Sequence, residues 1–217
     1  MNGIAIDRMM IIVLLVSLAL APFVLLLVSS FVKIVSVLSL IRNALGVQQV
    51  PPNMVINGLS ILLTIYIMYP VVQDTFDIAR TMDYDMNNIA ELEPKLSKTC
   101  GPLKKFLYEH SKSRGRAFFM RTAQKIWPAD MQDGLDEQHL LILIPAFIVS
   151  ELTDAFQIGF LLYLPFIAID MIVSNILLAM GMMMVSPMTI SLPFKLMLFV
   201  LIDGWTKLVE GIVRTYG

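Results

Sequence analysis

The sequence is poor in the residues that bind metals or form covalent cross-links. Its single cysteine, Cys100, excludes an internal disulfide, and its two histidines, His110 and His139, stand alone without metal-ligand spacing. Charge is scarce as well. Only 15% of the 217 residues are charged while 57% are hydrophobic, and the mean hydropathy is +0.76. A soluble core of this size does not need so much apolar surface, so the composition is that of a membrane-class protein. The net charge of −1 supplies no field to attract nucleic acid or an acidic substrate. No cofactor, no metal and no nucleic-acid partner is expected.

The charge that is present is confined. Of 33 Asp, Glu, Lys and Arg residues, 21 fall between Asp74 and Glu137. Composition therefore predicts an all-α chain in three regions: a hydrophobic helical hairpin region over 1–73, a polar and mostly helical insertion over 74–139, and a second hydrophobic hairpin region over 140–217. Met9 to Val32 is 24 residues without a charge. As one helix it would rise about 36 Å, enough to cross a hydrocarbon core of roughly 30 Å. Ala19-Leu20-Ala21 resembles a signal-peptidase site, but Pro22 would hinder cleavage there, so the segment is expected to be retained. Gly46 can end a helix and Pro51-Pro52 prevents its continuation, which reads as the turn of a helical hairpin. Within the polar region, helices are expected around Leu103 to Tyr108 and Ala117 to Ile126, the second stopped by Pro128. Lys112, Arg114, Arg116, Arg121 and Lys125 form a basic cluster there, read as a solvated helix face.

From Leu140 hydrophobicity returns, yet Glu151, Asp154 and Asp170 lie within the apolar run, and Lys195 interrupts the stretch from Met171 to Ile202. At mid-bilayer a charged side chain costs roughly 2.5–3.5 kcal/mol, so these four groups must face protein or water rather than lipid. Lys195 is the only Lys or Arg between Glu137 and Lys207 and is the natural counter-ion for one of the three acids; Glu151 is the expected partner, in the same subunit or across a subunit boundary. Loop charge gives no clean topology: Lys33 and Arg42 mark the first short loop as cytoplasmic, whereas a loop near Asp170 has no basic residue. Glu151 and Asp154, three apart, share a helical face and could share a proton for general acid–base work. An intramembrane enzyme or a small-solute transporter using Glu151, Asp154 and Asp170 is the alternative function class, although the Gly-x-Gly-Asp context of an intramembrane aspartyl protease is absent.

Met180 to Met188, "MGMMMVSPM", packs five methionines into nine residues. Methionine is unbranched and flexible, so it seals irregular gaps and repacks when displaced. Gly181 and Pro187 predict a bend that projects Met182, Met183 and Met184 away from a continuous helix. Core packing would use the same residues, and spacing taken alone favours it over a gate; Gly181 and Pro187 are what favour the projecting bend.

Taken together, "LSLIRNALGVQQVPPN" (Leu38 to Asn53) and the long string from Pro145 to Trp205, with the polar insertion between them, strongly resemble the FliP/SctR family, the core export-apparatus protein of bacterial type III secretion. The resemblance covers the whole chain apart from weak detail between Asp74 and His139. It implies a non-enzymatic, gated entrance pore for unfolded substrate proteins at the bacterial inner membrane, built as a ring thought to be a homopentamer. Small partners of the S, T and U classes (FliQ/SctS-, FliR/SctT- and FlhB/SctU-like) would join it, and the helical cone would be lifted toward the periplasm. By the same resemblance Met182, Met183 and Met184 match the methionine gasket of the channel, and Glu151 and Lys195 match charged positions at subunit contacts, where Asp154 and Asp170 are also expected to find partners. The short stretch before the first apolar segment favours the injectisome branch over the flagellar one.

Overall fold

The computed structural model describes residues 8–47, 49–81, 95, 98–132 and 134–217. Among these residues the fold is all-α, with eight helices and no strand. They are α1 (Arg8–Leu27), α2 (Phe31–Ala44), α3 (Asn53–Thr81), α4 (Gly101–His110), α5 (Ser113–Ile126), α6 (Leu140–Ala179), α7 (Pro187–Leu201) and α8 (Gly204–Arg214). The part of the expected polar insertion at 82–94, 96 and 97 lies outside the described residues. α4 and α5 enclose the two helical stretches expected there, and Trp127-Pro128 ends the second.

α6 is the spine. At 1.5 Å per residue its 40 residues extend about 60 Å, twice the thickness of a hydrocarbon core, so it cannot lie upright within one bilayer. α2, α4 and α5 pack on its N-terminal part, and α7 folds back on its C-terminal part. Pro145 and Pro165 each remove one internal hydrogen bond without interrupting the helix. The loop expected near Asp170 is therefore not a loop: Asp170 sits in mid-helix, and the chain reverses only after Ala179. Likewise, the single span expected over Met9 to Val32 is broken. α1 ends at Leu27, Ser29 donates its hydroxyl to the Leu26 carbonyl, and α2 departs at 60°.

α2 and α3 form the expected hairpin. Gly46, in the left-handed region at φ +75°, ends α2, and Arg42 reaches across the turn to Asn53 Oδ1 at 2.5 Å. The buried face of α3 repeats every four residues as Ile56, Ser60, Thr64 and Met68. Ser60 and Thr64 return their hydroxyls to the carbonyls of Ile56 and Ser60, so small polar groups are buried there without an unmet hydrogen bond. α2 and α6 come still closer at Gly159, where a Cβ would stand 2.3 Å from Leu40 Cδ1 and 3.2 Å from Leu40 Cβ. The composition change at Asp74 does not interrupt α3, which runs on to Thr81.

α3 and α6 are each long and apolar enough to cross a membrane, and the bent α1–α2 pair is a third candidate. Much of their apolar surface is uncovered within one chain: Leu62, Ile65 and Tyr66 on α3, and Phe156, Phe160 and Leu161 on α6, are all at least 60% exposed. Such surface is unstable in water, and a lipid phase or neighbouring chains must cover it.

Candidate functional site

Three acids on α6 are each met by a lysine from a different element. Glu151 is fully buried, and its Oε1 lies 2.8 Å from Nζ of Lys33 on α2. That contact is ionic, off the line of a good hydrogen bond. Directional bonding comes from Tyr216, beyond α8, whose phenol donates to Glu151 Oε2. Lys33 Nζ also lies 4.2 Å from the centre of the Tyr216 ring, a cation–π contact. Tyr216 in turn stacks on Phe106 of α4 at 6.1 Å and lies 5.1 Å from the His110 ring. Burial, reinforced by the Glu151 carboxylate, pushes the Tyr216 phenol above its ordinary range, so it remains a proton donor.

One turn along α6, Asp154 Oδ1 lies 2.5 Å from Nζ of Lys112, the residue that precedes α5. The Lys112 backbone N–H donates to Ser150 Oγ at 2.9 Å, which locks the start of α5 onto the same turn of α6. This pair is part-exposed and is weaker than the buried one.

Sixteen residues further, Asp170 Oδ2 accepts from Lys195 Nζ of α7 at 2.6 Å, and its Oδ1 accepts from the buried Ser191 hydroxyl at 2.5 Å. Lys195 Nζ donates also to the carbonyl of Ala44 at 3.3 Å, placing a cation at the C-terminus of α2, where the helix dipole favours one. A single lysine thus ties α7, α6 and α2 together.

These pairings correct the sequence expectation within the chain. Lys195 meets Asp170, and Glu151 belongs to Lys33. Lys33, read as a loop residue marking topology, lies inside α2 and is 2% exposed. Its signal was available: it is the lone charge between Met9 and Ile41, and the desolvation argument applied to Lys195 applies equally to it. Tyr216 and Ser191 carry no such signal, because a hydroxyl in an apolar helix commonly bonds its own backbone. Glu151 and Asp154 are each met by their own cation, Lys33 and Lys112. Asp154 and Asp170 lie 16 residues apart on one helix, a rise of about 24 Å, and form no catalytic dyad within the chain. Of the two histidines, His110 bonds the Phe106 carbonyl and His139 caps the N-terminus of α6. No cluster of metal-binding side chains occurs among the described residues.

The methionine stretch lies at the tip of the α6–α7 hairpin. α6 ends in a Schellman motif: Gly181 adopts φ +72°, Met182 N–H bonds the Leu177 carbonyl at 2.9 Å, and Gly181 N–H bonds the Leu178 carbonyl at 3.0 Å. Pro187 then opens α7 at a position where its missing N–H costs nothing. Met182, Met183 and Met184 fall in the reversal, 40%, 81% and 100% exposed. They are not core residues of this chain.

The pattern of the FliP family matches residues 14–212. The chain belongs to the FliP family. Among its relatives, Yop proteins translocation protein R of Yersinia pestis is 51% identical over 211 residues, covering 97% of each chain. Hypersensitivity response secretion protein HrcR of Ralstonia nicotianae is 46% identical, over 94% of this chain and 95% of its own. Virulence protein YscR of Salmonella typhimurium is 43% identical over 92% of both. Within the FliP family the chain thus stands among the injectisome-type SctR proteins, components of the type III secretion export apparatus. Its apolar helices are those of a membrane protein of that apparatus.

Proposed function

We propose that this FliP-family chain is a non-enzymatic subunit of the gated entrance through which unfolded proteins leave the cytoplasm at the bacterial inner membrane. Several copies, five by resemblance, form a ring joined by small partners of the S, T and U classes. The insertion at 74–139 faces the periplasm, and the assembled cone is raised toward it. Met182, Met183 and Met184 of each copy meet around the channel axis, where packed thioethers exclude water and hydrated ions at rest and yield to a passing chain.

The observation that carries this reading is the exposure of the three methionines at a hairpin tip with a stiff base. The Schellman turn and Pro187 fix the reversal, and Lys195, paired with Asp170 and bonded to the Ala44 carbonyl, ties the base to α2. Side chains presented this way have no role in the fold of their own chain. The neutralised acids lend nothing to the enzyme alternative.

The test replaces all three methionines with alanine. Ion or small-dye permeability of cells is read together with the amount of assembled complex. The expected result is intact assembly with a leaking membrane. Lost assembly without leakage would return these residues to a packing role and overturn the gate.

A further inference from the structure

Five of the 16 methionines stand within one short stretch at the α6–α7 reversal: Met180, Met182, Met183, Met184 and Met188. All five are exposed, and Met184 is wholly so. Methionines occur elsewhere on the surface too. Met171 and Met197, on the outer faces of α6 and α7, are more than half exposed in the single chain. They belong, however, to the apolar helix surface that lipid or neighbouring chains must cover. Met182, Met183 and Met184 differ in lying in no helix, since α6 ends at Ala179 and α7 begins at Pro187. The reversal carries them past the ends of both helices.

A thioether is soft and apolar, but its sulfur keeps a lone pair that two-electron oxidants take, and oxidation converts the side chain into a polar sulfoxide. Access decides which methionines react first. In the gate described above, the three side chains form a seal only one hairpin tip deep, with channel water on either side. A molecule as small as a peroxide therefore reaches their sulfurs in the assembled ring as well as in the free chain.

We propose that Met182, Met183 and Met184 are oxidation sites for peroxides and that sulfoxide at these positions opens the closed gate, the second half resting on the gate reading itself. The sulfur lone pair attacks one peroxide oxygen. An S–O bond forms as the O–O bond breaks, and the departing hydroxide takes the proton left on the sulfur-bound oxygen and leaves as water. Sulfur loses two electrons and the peroxide gains them. The new S=O oxygen is a hydrogen-bond acceptor, and its neighbours across the seal are other thioethers, which have no proton to donate. It holds water instead, where the thioethers had excluded it. Repetition in every copy of the ring turns a dry constriction into a wet one, with little change in side-chain length.

The experiment treats membrane vesicles carrying the assembled apparatus with hydrogen peroxide, using the wild-type chain or the triple variant Met182→Leu/Met183→Leu/Met184→Leu. Site-resolved peptide mass spectrometry reads the sulfoxides, and release of a small dye is read beside the amount of assembled complex. Met182, Met183 and Met184 are expected to oxidise before Met171 and Met197. Dye release from wild-type vesicles should rise several-fold in step with them, whereas the leucine variant, whatever its resting level, should show no further rise. Oxidation at 182–184 no faster than at Met171 and Met197 overturns the proposal, because the tip is then closed to channel water. So does oxidation at 182–184 without added release, or an equal rise in the leucine variant. If that variant assembles poorly, the wild-type time course decides, and release that follows Met171 and Met197 instead is a refutation. Alanine at the three positions separates this failure from failure of the gate: a leaking alanine variant beside an oxidised but tight wild type overturns the oxidation switch alone. A tight alanine variant overturns the gate reading, and the switch with it.

Discussion

Tyr216 donates its phenol hydroxyl to Glu151, linking two residues 65 positions apart and holding the chain beyond α8 against the N-terminal third of the spine helix. The same ring takes Lys33 on its face and stacks on Phe106, so one aromatic side chain gathers α2, α4, α6 and the C-terminal segment. Tyr216→Phe keeps the ring contacts and removes only the donor to a buried carboxylate. It is expected to lower stability by about 1.5–3 kcal/mol, the usual worth of a hydrogen bond to a charged group. Thermal unfolding of the detergent-solubilised chain would measure it; an unchanged midpoint would mean the hydroxyl contributes nothing.

Lys33→Met and Glu151→Gln should each destabilise by about 3–5 kcal/mol, because each strips a buried charge or polar group of its partner. The double variant should cost clearly less than the sum, since neither residue then leaves an orphan. Lys195→Met combined with Glu151→Gln should be additive. Strong coupling in that second pair, measured by the same unfolding cycle, would restore the Glu151–Lys195 partnership.

Gly159 permits the close approach of α2 to α6. Leu40 Cδ1 can rotate away from a new Cβ, but Leu40 Cβ, at 3.2 Å, moves only with the backbone. Gly159→Ala is therefore expected to cost about 1–3 kcal/mol and Gly159→Leu to prevent the native helix contact. Leu40→Ala should rescue much of the Gly159→Ala loss. Protease resistance of single and double variants would reveal the rescue, and its failure would place the strain elsewhere.

Leucine at 182, 183 and 184 should act differently from alanine. In the proposed gate, leucine would restore volume and thus much of the seal, while its branched side chain would repack less readily around a passing chain. Secretion should fall more than permeability rises. If leucine variants leak as much as alanine variants, side-chain volume is not what closes the proposed gate.

Desolvation made part of the structure legible in the sequence. An apolar chain with one polar region, helix breaks at Gly46, Pro51-Pro52 and Gly181, a bend between Gly181 and Pro187, and a requirement that Glu151, Asp154, Asp170 and Lys195 be paired all follow from local backbone chemistry and the cost of burying charge. These properties belong to single residues and short windows, so one-dimensional information suffices for them. The family resemblance was legible for the same reason: it rests on contiguous strings around Leu38 to Asn53 and Pro145 to Trp205.

The choice of partners was decided only by the tertiary structure. For any one acid, Lys33, Lys112 and Lys195 are chemically equivalent cations, and no local rule distinguishes them. What distinguishes them is which helix lies against which turn of α6. That depends on contacts such as Gly159 on Leu40, on the length of α6 continuing unbroken past Asp170, and on the bend between α1 and α2 that brings Lys33 inside. Sequence alone determined that each buried charge needs a counter-charge. Packing assigned each one, because a salt bridge forms over a few ångströms and only the assembled helices set those distances.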